Sequence, residues 1–142
     1  MTGTSRHAIM RRAIETCIQP DDDAIAKLSE LFHGDVTVWS PNLLAVGLAD
    51  LAEHLEFHEM AFSDVDIQID ALDVFANKAF AEFRVAATFS GPFVIGKETA
   101  IEPNGQRLLL GAAAIADFEG GKIKALRAYF DDTTLLEQML AA

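Results

Sequence analysis

The chain has 142 residues, 51% of them hydrophobic, with 22 acidic against 11 basic side chains and a net charge of −11. A domain of this length buries roughly 70% of its unfolded surface, and this apolar share excludes intrinsic disorder. The negative field repels phosphate backbones and anionic lipid. It excludes nucleic acid and membrane surfaces as partners and leaves small, neutral or cationic molecules.

The first predicted helix covers Ser5 to Gln19, where Ile9, Ala13 and Cys17 recur every four residues and Pro20 stops the run. Cys17 is the single cysteine. It excludes an internal disulfide framework, fits a reducing compartment, and reads as a small core residue on the apolar stripe. The N-terminal stretch has no apolar segment of signal-peptide length. No run approaches the ~18 apolar residues of a membrane span. The expectation is a cytoplasmic protein.

A second helix follows "PDDD", with Ile25, Leu28, Leu31 and Phe32 as its buried stripe and Gly34 as its end. "DVTVWS" is a short strand broken by Pro41. The third helix runs from Leu48 to Phe62, and its three-and-four spacing places His58 among Leu51, Leu55 and Phe62.

From Ser63 the period changes to two. "DVDIQID" is a strand with one wet face, and the phase shift at "ALDV" predicts a bulge near Ala71. "NKAFAEFRVAATFSG" is a second long strand, and residues 106–132 form a hairpin around Glu119, Gly120 and Gly121. A short helix, "TTLLEQMLA", closes the chain, with Thr134 and Glu137 fitting a capping box.

Helices followed by long strands predict one α+β domain spanning 1–142, a curved, mostly antiparallel sheet wrapped around the N-terminal helices. "LLLGAAAIADF" is apolar on both faces, with Leu109, Ala113 and Ile115 on one and Leu108, Leu110, Ala112 and Ala114 on the other. One face covers the helices. The other predicts a homodimer packed through the sheet.

The element order, with "LFHGDVTVWSP" and "GGKIKALRAYFDDTTLLEQM", resembles the SnoaL-like branch of the nuclear-transport-factor-2-like superfamily over essentially the whole chain. The resemblance implies a cystatin-like cone with an apolar cavity. It leaves the reaction open, because polyketide cyclases, isomerases, dehydratases and non-catalytic members share the fold. "LRAYFD" is also similar to the ending of limonene epoxide hydrolase. That likeness places Leu126 at a tryptophan, Arg127 at an arginine, Ala128 at the catalytic acid, and Arg84 and Ala86 at an Arg-x-Asp pair. With alanine at both acid positions, water activation by that route is closed.

The remaining candidates for acid–base chemistry are Glu82 and His58. Glu82 shares a strand face with Phe80 and Arg84, and if that face lines the cavity, Glu82 is a base and Arg84 an anchor for a ligand oxygen. The alternative is a structural ion pair. His58 is either a proton-transfer group or a core histidine bonded to a backbone carbonyl. Tyr129 and Asp131 point away from Ala128, and Asp131 with Asp132 caps the last helix. Trp39, Phe80, Leu126, Ala128, Phe130 and Arg84 are the expected ligand contacts. No metal and no cofactor are expected: His54 and His58 offer two imidazoles at i, i+4 with no third ligand. Two functions follow. One is a binding protein for a lipophilic ligand; the other is a cofactor-independent isomerase, dehydratase or cyclase.

Overall fold

The computed structural model describes residues 5–21, 23–95 and 98–141, with the backbone alone at 24 and 25. Among the described residues four helices, α1 (Arg6–Ile18), α2 (Ala24–Leu31), α3 (Leu48–Glu59) and α4 (Asp132–Leu140), pack with eight strands. These are β1 (Phe32–Ser40), β2 (Leu43–Val46), β3 (Phe62–Phe75), β4 (Lys78–Phe89), β5 (Phe93–Val94), β6 (Ala100–Ile101), β7 (Arg107–Glu119) and β8 (Lys122–Phe130). The main sheet has the order β2-β1-β8-β7-β4-β3 and is antiparallel except where β1 lies parallel to β8, while β5 and β6 form a separate ribbon. None of the described helices is long and apolar enough to cross a membrane.

Two boundaries differ from the sequence expectation for one reason. α2 ends at Leu31, not Gly34, because Phe32 takes extended angles (φ −122°, ψ 150°) and joins β1 opposite Ile123 of β8. α3 ends at Glu59, and Phe62 opens β3 opposite Phe89. In both places strand pairing overrides a helical apolar period. The bulge expected near Ala71 is present as a register shift between Ile69 and Ala71. A second bulge at Lys124 puts Ile123 on the same buried side as Leu126, against the simple alternation of β8. At α4 the N-cap is Asp131, whose carboxylate accepts from the Thr134 N–H and hydroxyl, so the cap begins three residues before the expected Thr134–Glu137 box.

The concave face of the sheet carries Val36, Val38, Ala81, Phe83, Ala114 and Leu126, and it packs against Ile9, Met10, Ile14, Leu28, Leu51 and Leu55 of α1–α3. Each fully buried leucine or isoleucine here contributes about 1.5–3 kcal/mol. Arg6 fixes α1 to the far end of the sheet: its guanidinium donates to the carbonyls of Ala76 and Gly120 and lies 5.3 Å from the Phe118 ring centroid. A second cluster, including Phe89, Phe93, Leu108, Leu135 and Met139, closes the other end. The helices fill the middle of the cone, and a cavity remains between the two clusters.

Candidate functional site

The cavity measures about 210 Å³. Leu51, Leu55 and His58 of α3 form its roof, and Phe83, Val85 and Ala87 of β4 with Leu110 and Ala112 of β7 form its floor. Leu126, Ala128 and Phe130 of β8 continue that floor, and Leu135 of α4 and Phe93 of β5 close the end. The strand residues alternate, as inward-facing positions must. The polar positions in the lining are His58, Cys17, Ser40, Asn42 and Trp39. No carboxylate, lysine or arginine is among them.

His58 reaches the cavity because of a close approach in the backbone. The turn after β4 brings the N–H groups of Ser90 and Gly91 onto the Ala61 carbonyl, at 3.0 and 3.1 Å. A Cβ at Gly91 would stand 1.9 Å from the Met60 carbonyl oxygen, so only glycine fits. This contact carries Phe93 under the end of α3, where its ring stacks with the His58 imidazole at 5.4 Å between centroids and 28° between planes.

The imidazole has no hydrogen-bond partner among the described residues, and no described side-chain polar atom is both sealed off and unpartnered. Its nitrogens are therefore not sealed within the packed core, and the residue lines the open volume. Burial holds its pKa below the ordinary histidine value, and nearby His54 pushes the same way. The ring is neutral at pH 7, with one nitrogen donating and one accepting. At Cys17, burial pushes the thiol up to about 12, so it stays protonated and is no nucleophile. Ser40 donates to Asn42 Oδ1 at 3.0 Å, leaving the Asn42 amide N–H₂ as a second donor site at the lining.

Of the expected contacts, His58, Trp39, Leu126, Ala128 and Phe130 lie at the cavity. Trp39 does so at the rim, where its ring packs tilted on Tyr129, 5.4 Å away. Glu82, Arg84 and Phe80 are a correction: all three are exposed on the outer face of β4. Glu82 is no cavity base. Arg84 forms a two-pronged ion pair with Asp70 of β3, at 2.9 Å through both Nε and Nη2. Ala86, in phase with Arg84, does not line the cavity either, and Arg127 turns outward to Asp117.

The physical reason was legible. The odd positions of β4 (Ala79, Ala81, Phe83, Val85, Ala87, Phe89) are wholly apolar, whereas the even set mixes charge with phenylalanine and alanine. The uniformly apolar set packs on the helices. Phe93 carried no such signal, because its role depends on the Gly91 turn.

No group of three or more potential metal-ligating side chains occurs among the described residues. A wider surface groove of about 750 Å³ lies between α2 and α3, walled by small apolar residues with Asp23, Glu53 and Glu56 on its rim. It holds no histidine, cysteine or aromatic side chain.

The family model for SnoaL-like polyketide cyclases matches residues 8–139. No curated protein matches the chain. Among solved structures, a SnoaL-like polyketide cyclase from Jannaschia sp. CCS1 superimposes with a TM-score of 0.80 at 12% identity, covering 100% of this chain and 99% of that one. TsrD from Streptomyces laurentii gives 0.76 at 19% identity, over 99% and 100% of the two chains. A protein with a ketosteroid isomerase-like fold from Catenulispora acidiphila, bound to trimethylamine, gives 0.72 at 13% identity, over 96% and 94%. At these identities the likeness is one of fold.

Proposed function

The chain belongs to the SnoaL-like polyketide cyclase family, and from its cavity we infer that it binds a small, neutral, largely apolar molecule whose oxygen function is held by His58. The observation that carries this reading is an unpartnered neutral imidazole in a chamber lined mostly by apolar side chains and by no charged one among the described residues. A charged ligand entering it would lose hydration and meet no counter-ion. The volume of 210 Å³ lies below the ~300–1,000 Å³ of drug-sized pockets, which favours a molecule of one or two rings. Calorimetry with 2-naphthol and 2-naphthoate tests the reading. The phenol binds and the carboxylate binds at least tenfold more weakly. Ala128→Phe, which fills the floor, abolishes binding, and His58→Phe weakens it by about tenfold, the loss of one good hydrogen bond. Equal binding of both probes, or undiminished binding to Ala128→Phe, removes it.

A second reading is favoured by the same imidazole. A neutral histidine beside an apolar ligand is a competent base, so the chain would catalyse a cofactor-independent proton shift such as an isomerisation, dehydration or aldol cyclisation. Exchange of the α-hydrogens of 2-tetralone in D₂O reads this directly. Wild type accelerates exchange and His58→Phe does not; equal rates in both end the reading.

The outer sheet face completes the proposal. Leu109 is 65% exposed, Ala113 and Ile115 share its side of β7, and Phe80 and Tyr129 flank it on β4 and β8. A second copy of the chain covers this apolar face most simply, by isologous packing.

A further inference from the structure

α3 carries three titratable side chains at successive i, i+4 positions, Asp50, His54 and His58. At 3.6 residues per turn, each step of four residues advances about 40° around the helix. The series therefore winds from the solvent side toward the side of Leu51 and Leu55, which are buried. Asp50 and His54 are half-buried at the surface, whereas His58 lines the cavity. The lower step is a formed contact: Asp50 Oδ1 lies 3.5 Å from His54 Nε2, and Asp50 Oδ2 accepts from the Val46 N–H at 2.9 Å, which fixes the carboxylate. The upper step spans one helical turn, the spacing at which side chains are neighbours.

We propose that Asp50 and His54 form a relay through which the cavity imidazole of His58 exchanges its proton with water, His54 acting as the positioning residue between them. This rests on the proton-shift reading of the site. Neutral His58 takes a proton from a ligand C–H on one ring nitrogen and releases one from the other. His54 accepts that proton, directly or through one water, and the Asp50 carboxylate beside it holds the resulting imidazolium. The proton then passes to bulk water, His58 is neutral again, and the ligand enolate regains a solvent-derived proton by the reverse route. Charge and protons balance without any further reactant.

The surroundings leave few other routes. Among the described lining residues the only other ionisable side chain is Cys17 of α1, whose thiol stays protonated. β1 and the β1–β2 turn supply uncharged Ser40 and Asn42, and β3, β4, β5, β7, β8 and α4 supply apolar side chains. On α3 itself, Glu59 follows His58 and is exposed.

Two measurements on the intact, ligand-free or tetralone-loaded protein test the relay. Proton NMR of the imidazole Cε1–H signals gives the titration midpoint of His58, which is expected to shift upward in His54→Gln, where a like charge is lost, and slightly downward in Asp50→Asn, where an opposite charge is lost. α-Hydrogen exchange of 2-tetralone in D₂O is expected to slow by roughly tenfold in His54→Gln, short of the 10²–10⁴ that a general base itself supplies. His54 is on the surface, so a thermal melt serves as the control for folding. A His58 midpoint that does not move in His54→Gln overturns the relay even if wild-type exchange depends on His58. A midpoint that moves without any wild-type exchange above buffer overturns the proton-shift reading and the relay with it. Movement and slowed exchange together establish it.

Discussion

The imidazole of His58 and the ring of Phe93 lie stacked 5.4 Å apart, joining the last turn of α3 to the short strand β5 across the end of the cavity. The stack fixes the plane of the imidazole without engaging either nitrogen. It is therefore the contact that orients the polar group of the site while leaving it free for a ligand.

Burial of His58 ties stability to pH. Its folded pKa lies below the unfolded value, near 6.5, so the unfolded chain binds the proton more readily. Its neutral form is fully compatible with folding above that value, and stability falls as the pH drops through about 6.5 toward the lower folded pKa. Urea unfolding at pH 5 and pH 8 measures this difference, and His58→Phe reduces it. An unaltered difference in the variant removes His58 as its source.

Gly91 is predicted to tolerate no side chain. With the Met60 carbonyl 1.9 Å from the position of a Cβ, Gly91→Ala must displace backbone and not a flexible side-chain tip. A loss of roughly 2–3 kcal/mol is expected from denaturant unfolding. Because the same turn seats Phe93, the variant also raises the His58 midpoint toward that of an exposed histidine.

Cys17, with its thiol pushed up to about 12, is almost wholly protonated at pH 8. The thiolate fraction there is on the order of 10⁻⁴. Iodoacetamide at pH 8 is expected to label the unfolded chain and to leave the native protein unmodified over an hour. Rapid labelling of the native protein contradicts the raised thiol pKa.

Glu82→Gln and Arg84→Ala are expected to leave 2-naphthol affinity unchanged, since both side chains lie on the outer face and Arg84 is engaged with Asp70. Calorimetry on the two variants checks it. Weakened binding in either one returns that face to the site.

Leu109→Asp and Ile115→Lys place charge in the apolar outer face. Sedimentation equilibrium at micromolar concentration is expected to give a dimer for the wild-type chain and a monomer for the double variant. A wild-type monomer ends the dimer proposal.

The sequence by itself determined the α+β order, the third helix with His58 on its apolar stripe, the bulge near Ala71 and the two apolar faces of β7. These are local or periodic properties, set by side-chain spacing along one element. Only the tertiary structure decided the register of β4 against β3 and β7, although its uniformly apolar odd positions already marked the inward face. Strand pairing likewise ended α2 at Leu31, where Phe32 joins β1 beside β8. The partner of His58 was invisible for the same reason. Phe93 is 35 residues away in sequence, and it arrives beneath the imidazole because a turn without a Cβ at Gly91 lets two backbones touch.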